Sequence, residues 1–492
     1  MNRNTLSLAA AVAALAAVAG IATLAAPGSG TTVEAKAAAR LPVERTSLLC
    51  PAPSQSDLAA TTYTSFTPAG AAGDAKSGKA ELMPSATAKK KADKPVAPLT
   101  QTGKPATATA SGGDAPALIG SADGTLAPGW TAQQTTTVTI GGSRGLLGTN
   151  CTAPDTDFWF PGASTAADRQ DYVHLTNPDD SAAVADIELY GKSGRIASDV
   201  GEDITVPAHG SVPVLISTLI AAKDPDLTVH VSTRSGRVGA VVQSMDDKLG
   251  SDWLPSSAAA ARTQVLPGIP ADATDVQLVA YAPGNDDADL KLQLAGADGK
   301  ITPAGFETLH VKAGMTAAVD LKNITRGVAG SLVLSPSGDG SSTPVVAALK
   351  VVRGTGGKQE VAFIPAAGPV GERATAADNR AKGSTLSLVA PDGAGKVKVT
   401  ASAGSGGGAP VVKTYTVKAG TTLVVKPEVP SGLKGAYALT VEPEAGSGPV
   451  YAARTLELPQ GGVPMFTVQA LSDDRGMVRV PAADEDLSLL ND

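Results

Sequence analysis

Cys50 and Cys151 are the only two cysteines in 492 residues. Both follow an apolar N-terminal segment of the export type, and an oxidising compartment joins such a pair. Cys50 ends the first strand expected of its repeat and Cys151 follows the last. First and last strands of a sandwich can bring two Cα atoms within the ~7 Å a bridge requires. An intramolecular disulfide is expected, with two buried free thiols or a bridge between chains as alternatives.

Gly141-Gly142-Ser143-Arg144-Gly145 fits Gly-x-Ser-x-Gly, the pattern that pushes a nucleophilic serine out of a strand-to-helix turn. A β-rich run, Thr135–Ile140, precedes it and another follows, so the pattern predicts a hairpin turn. The repeat described below aligns it with Arg234-Ser235-Gly236-Arg237. Acidic turns occur at Asn177-Pro178-Asp179-Asp180, at Asn285-Asp286-Asp287 with Asp289, and at Asp155 with Asp157. Calcium takes six to eight oxygens, whereas these turns bring two or three carboxylates each, in residue types that tight turns use anyway. His174, His209, His230 and His310 contain no pair at short ligand spacing, although His174 and His230 share one repeat. No metal and no cofactor is expected. Trp159 and Trp253 are the candidate ligand surface, because exposed indoles stack on sugars; packing inside or between repeats is the competing assignment. Trp159 lies in a run with Phe158 and Phe160, where the residue pointing outward would contact a neighbouring unit. No nucleophile–base pair or carboxylate pair converges, so no catalytic residue and no enzyme activity is expected.

The elements that position these residues follow from composition and repetition. Hydrophobic residues make up 42% and aromatics only 3%, so any core rests on Val, Leu, Ile and Ala. A net charge of −7 offers no basic face to a phosphate backbone, and no nucleic-acid partner is expected. Arg3 is the single charge before an apolar run from Leu6 to Ala26. That run reads as a cleaved signal or a retained membrane anchor over 1–30, which places the rest outside the cytoplasm.

An apolar phrase ending near proline recurs at Leu48–Pro51, Phe158–Pro161, Val265–Pro267 and Phe363–Pro365. A Gly-bearing turn with a small-residue strand recurs at Ser143–Gly148, Gly236–Val242, Pro344–Leu349 and Pro449–Ala453. A third phrase reads Val206-Pro207-Ala208-His209-Gly210, Val311-Lys312-Ala313-Gly314 and Val417-Lys418-Ala419-Gly420. Three phrases in one order mark a repeat of about 100 residues. Each repeat holds about seven short strands with turn signals between them, which predicts an all-β chain of tandem immunoglobulin-like sandwiches. In Asp289–Leu294 the alternation of Leu with Asp, Lys and Gln gives one wet face and one dry face.

The expected boundaries are a linker at 31–46, a degenerate β unit at 47–157, sandwiches at 158–261, 262–361 and 362–480, and a flexible tail at 481–492. Within the first unit, about 68–110 is rich in Ala, Thr, Lys and Pro, and is expected to be a disordered insertion.

The Ala-rich leader, Arg144-Gly145-Leu146 through Cys151, and Thr152–Gly162 with its Phe158-Trp159-Phe160-Pro161-Gly162 stretch together resemble a family of secreted or membrane-anchored proteins of high-GC bacteria. That family carries only a domain-of-unknown-function label. The resemblance implies location and fold and brings no catalytic residue. The expected role is a non-catalytic envelope protein acting as scaffold, adhesion surface or spacer; a glycan-binding or accessory subunit for envelope polysaccharide assembly is the alternative. A cell-envelope glycan or protein is the partner implied, and a membrane only through an uncleaved leader.

Overall fold

In Ala288–Ala295 the side chains of Leu290, Leu292 and Leu294 turn inward while Asp289 and Lys291 stay in water. The same period-2 burial runs along Ala183–Gly191 and Gly395–Ala401, and it is what makes these segments half-buried antiparallel strands. The computed structural model describes residues 39–70, 77–87, 94–338 and 343–481. The leader at 1–30 lies outside the described residues, as do 482–492 of the tail. Among the described residues no helix is long and apolar enough to cross a membrane.

The chain divides into two units, 1–41 with 478–492, and 42–477. Straddling the limits of the smaller one, Ala39–Pro42 pairs with Met477–Val480 in a two-stranded sheet. Part of the expected linker at 31–46 is therefore strand.

Unit 42–477 holds four sandwiches of one topology. In the first, Arg45–Cys50, Leu118–Asp123, Ala80–Pro84 and Val96–Leu99 form one sheet in that spatial order. Ala106–Ser111, Ala60–Phe66, Thr131–Val138 and Gly145–Asn150 form the other. Numbered along the chain, the spatial orders are 1-6-3-4 and 5-2-7-8. The second sandwich repeats them from Asp157–Ala163 to Gly250–Leu254, the third from Gln264–Ile269 to Glu360–Pro365, and the fourth from Ala374–Asn379 to Phe466–Leu471, with extra short strands. The pairings 6-3-4 and 5-2 are those of an immunoglobulin variable domain. The outer strands differ: the first strand sits beside the sixth, and the seventh sits beside the second. An eighth strand beside the seventh completes the unit.

This topology corrects three expectations. Phe363-Ile364-Pro365 is the eighth strand of the third sandwich and not the first of the fourth, which begins at Ala374. Gly145–Asn150 is an eighth strand, whereas Gly239–Asp246 is a seventh, so the turns 141–144 and 234–237 are not equivalent. The first sandwich is not degenerate. Its expected disordered stretch at 68–110 contains Ala80–Pro84, Val96–Leu99 and Ala106–Ser111. Ala80, Leu82, Ala97 and Leu99 need little volume because Tyr63, Trp130 and the two cysteines fill the same core. Residues 71–76 and 88–93 of that stretch, which carry most of its lysines, lie outside the described residues.

The turn before the fifth strand explains the third recurring phrase. Its fourth position takes a left-handed backbone in all three cases, with φ of 50° at His209, 67° at Gly314 and 72° at Gly420. Glycine adopts this conformation without the Cβ clash. His209 is held there by its own bonds, Nε2 to Asp180 at 2.7 Å and its carbonyl accepting from the Ala86 amide.

The four sandwiches meet through their eighth strands. Gly145–Asn150 contacts Gly250–Leu254, which contacts Glu360–Pro365, which contacts Phe466–Leu471, which returns to Gly145–Asn150. These four strands close a ring. The Val43 amide donates to the Gly476 carbonyl at 3.0 Å, so the first and last sandwiches meet where this unit begins and ends.

Candidate functional site

Three clusters of polar side chains stand out: one at the ring centre, one in the seam between the second and third sandwiches, and one between the first and fourth.

At the centre, buried carboxylates span both diagonals of the ring. Glu360 opens the third sandwich's eighth strand and is fully buried. Its Oε1 accepts the Leu146 amide at 3.0 Å and its Oε2 accepts Arg144 Nη1 at 3.0 Å, both from the first sandwich. Asp252, in the second, accepts the Thr467 hydroxyl of the fourth at 3.0 Å and the Gly148 amide of the first at 3.1 Å. Burial raises both acids, Glu360 to about 8 against the Leu146 amide and the Arg144 charge, and Asp252 well above the carboxylate range. Such groups resemble tuned catalytic acids. Here they are enclosed by strands, and their hydrogen bonds hold opposite sandwiches together, with the Gly148–Asp252 bond joining a neighbouring pair.

Gly145, the last glycine of the Gly-x-Ser-x-Gly pattern, belongs to this centre together with Gly148 beyond it, whereas a Cβ on Gly141 would meet nothing within 4 Å. A Cβ on Gly145 would lie 2.2 Å from the Ser251 carbonyl oxygen, and one on Gly148 would lie 2.5 Å from Thr467 Cγ2. Only bare backbone fits where these strands cross. Ser143 sits on the turn joining Thr131–Val138 to Gly145–Asn150, a strand–turn–strand hairpin without the helix a nucleophile elbow uses.

In the seam, cross-strand register places Trp159 opposite His230 and His230 opposite Glu188. Phe158 and Phe160 point into the second sandwich's core, so Trp159 is the outward residue of the run and points toward the third. Its ring stacks on His230 at 3.8 Å between centroids and on Tyr281 of the third sandwich at 5.1 Å. His230 Nδ1 lies 3.0 Å from Glu188 and Nε2 lies 3.0 Å from Asp157, so both ring nitrogens are engaged. Tyr190 donates to Glu188 at 2.9 Å, and Arg195 pairs with it at 2.9 Å. Burial pushes Glu188 up, but the bonds from His230 and Tyr190 and the Arg195 charge outweigh it and leave the carboxyl lowered. Thr316 closes the seam by donating to the Tyr190 carbonyl at 2.7 Å.

Trp253 does not belong to a ligand surface. It is 1% exposed and packs with Ala59, Val138, Leu147 and Val241 between the first and second sandwiches. It lies on the eighth strand, Gly250–Leu254, which is buried on both faces. His174 and His230 are not brought together. They lie in opposite sheets, and His174 meets the Trp253 ring edge-on at 5.2 Å.

Cys50 and Cys151 are bonded, with Cα atoms 4.4 Å apart. The acidic turns bind side chains of their own sandwich: Asp179 pairs with Arg237, and Asp287 and Asp289 with His310. Among the described residues no three His, Cys, Asp or Glu side chains converge on a metal position.

A third polar cluster, which the sequence reading missed, joins the first and fourth sandwiches. Thr135 donates to Asp378 at 2.8 Å, Gln133 accepts from the Asp378 amide at 2.7 Å, and fully buried Arg454 bonds to Gln469. Gln133-Gln134 inside a strand pattern was the available signal, because adjacent polar side chains on both faces of a strand call for a second partner.

Among curated proteins none matches the chain. The family of unknown function DUF5719 matches residues 106–428. The match runs from the fifth strand of the first sandwich to just beyond the fifth strand of the fourth, three full periods of the repeat. With most of its length in that match, the chain belongs to the DUF5719 family, whose function is unknown.

Proposed function

We propose that this chain is a non-catalytic extracytoplasmic scaffold or adhesion protein of the cell envelope of a high-GC bacterium, secreted or held by its N-terminal segment. The ring carries the reading. Four sandwiches that bury polar side chains against one another make a rigid body with fixed outer faces, the property a display surface needs. A spacer keeps its ends apart, and the Val43–Gly476 hydrogen bond brings those of this unit together. The Cys50–Cys151 bond supports an oxidising compartment. Cell fractionation with N-terminal sequencing tests location: a mature start near Ala26 in the medium indicates secretion, an intact N-terminus in membranes indicates the anchor, and cytoplasmic protein overturns both. Labelling of Ser143 by a serine-directed probe would overturn the non-catalytic part.

A glycan-binding or polysaccharide-assembly role is the second reading. It is favoured by the half-buried Trp159, Tyr190 and Glu188, which set aromatic rings beside a carboxylate in one seam. On a glycan array the intact chain is expected to bind nothing selectively. Selective binding lost in Tyr190→Ala would replace the scaffold reading with this one.

A further inference from the structure

The fourth strand of each sandwich is an outer edge of its sheet. Exposed edges offer unpaired amides and carbonyls to other chains, and proteins blunt them with short strands or proline. Three of the four follow this rule. Val96–Leu99 has four residues including Pro98, Gly194–Ile196 has three, and Lys300–Ile301 has two. The fourth sandwich does not follow it. Val411–Val417, reading Val-Val-Lys-Thr-Tyr-Thr-Val, pairs along all seven residues with Gly395–Ala401. Among the described residues no strand pairs with its other edge. In an antiparallel pair alternate residues turn their backbone groups away from the neighbour, so this edge presents a regular row.

We infer that Val411–Val417 is a self-association edge, on which a second copy of this chain adds the same strand antiparallel about a two-fold axis at Thr414. The segment suits itself as partner. In that register Thr414 meets Thr414, Lys413 meets Tyr415, Val412 meets Thr416 and Val411 meets Val417. No like charges face each other, and β-branched and aromatic cross-strand pairs are the favourable kind. Lys413 is the one charge on the strand, and such a charge can block pairing. Here it is already neutralised by Glu428 at 2.8 Å and lies over the Tyr415 ring at 5.4 Å, an arrangement a second Tyr415 extends. Val412, 58% exposed on the monomer, gains a neighbour. A two-fold contact of this kind is closed, which gives a dimer and not a fibre.

Sedimentation equilibrium of the intact chain tests this with Thr414→Lys and Thr414→Glu. Thr414 is exposed and, among the described residues, its side chain makes one long hydrogen bond, 3.5 Å to Glu444, so both variants are expected to stay folded, which circular dichroism checks before the dimer is measured. The wild-type chain is expected to dimerise. Each variant places like charges face to face and is expected to dimerise at least about tenfold more weakly. An equimolar mixture of the two variants restores the dimer as a mixed pair. A wild-type chain that stays monomeric up to about 10⁻⁴ M, weaker than specific interfaces usually are, would overturn the inference. So would a dimer that Thr414→Lys leaves intact, or variants that fail to recombine.

Discussion

The amide of Leu146 donates to Oε1 of Glu360 at 3.0 Å although 214 positions separate the two residues. The bond crosses the ring from the first sandwich to the third, and Arg144 Nη1 adds a second at 3.0 Å. A charged carboxylate in a dry interior is costly unless donors surround it. Leu146 and Arg144 belong to the first sandwich, so these donors reach Glu360 only when the first and third sandwiches meet. The pair therefore links the folding of the third sandwich to its assembly with the first.

Glu360 gives the ring a pH dependence with a definite sign. Its folded value, raised by burial to about 8, exceeds the 4.5 of an ordinary glutamate. Between these values the folded state binds the extra proton, so this group's contribution is complete below 4.5 and is lost as pH rises through 8. Buried Asp252 is raised too and acts in the same direction. Glu360→Gln keeps an acceptor for Leu146 and removes the titration. Urea midpoints measured across this range should fall with rising pH in the wild type and fall less in the variant. Equal slopes would show that Glu360 stays ionised throughout.

His174 acts in the opposite direction. Burial outweighs a bond with Gln243 and lowers its imidazole to about 4, below the 6.5 of a free histidine. The neutral ring is fitted against Trp253, and the unfolded chain takes up a proton first as pH falls. Its stabilising contribution is present above 6.5 and is lost as pH drops through 4. His174→Phe removes that loss and should flatten the acid limb of a thermal-melting profile between these values. An unchanged acid limb would assign it to other groups.

Gly145 tests why the Gly-x-Ser-x-Gly segment ends in glycine. Ala at this position places a methyl 2.2 Å from the Ser251 carbonyl, and backbone cannot move aside as a side-chain tip can. The expected loss is about 1–3 kcal/mol, the usual cost of overpacking. Ser143→Ala, on the same turn, should change stability by less than about 0.5 kcal/mol. Chemical denaturation of the two variants checks the contrast, and the reverse ranking would assign the segment to the serine.

The sandwiches were legible in the sequence because period-2 burial leaves Leu and Val on alternate positions, as in Asp289–Leu294, whatever lies outside the sheet. Phe158-Trp159-Phe160 signalled a strand with one face against a neighbouring unit, but three aromatics in a row leave no polar position to fix which ring points outward. The ring was not legible. Its strands bury both faces, one on their own sandwich and one on the next, so Gly145–Asn150 and Glu360–Pro365 lose their alternation and read as interchangeable apolar phrases. That is why Phe363–Pro365 was expected to begin a repeat that it ends. The small first-sandwich strands carry a weak signal because Ala80 and Ala97 have little hydrophobicity, although Leu82 and Leu99 beside them are buried.

The disulfide compensates for that weak signal, and this gives the last prediction. Cys50 ends the first strand, Cys151 follows the eighth, and a two-residue exchange between Leu49 and Thr152 aligns the backbones beside the bond. Both sulfurs lie in the core with Tyr63, Leu82 and Trp130. The bond joins positions 101 residues apart and so encloses almost the whole first sandwich, including its Ala-rich strands. Closing a loop of this size restrains the unfolded chain by up to about 4.7 kcal/mol in the chain-entropy picture, and measured values commonly run lower. Alkylation of the folded chain without reductant should modify no cysteine, as intact mass reports. Cys50→Ala with Cys151→Ala should lower stability by about 2–5 kcal/mol. The loss should fall on the first sandwich before the other three, so limited proteolysis of the double variant should cut first within 50–151. First cuts spread evenly over all four sandwiches would instead make the bond a support of the whole ring.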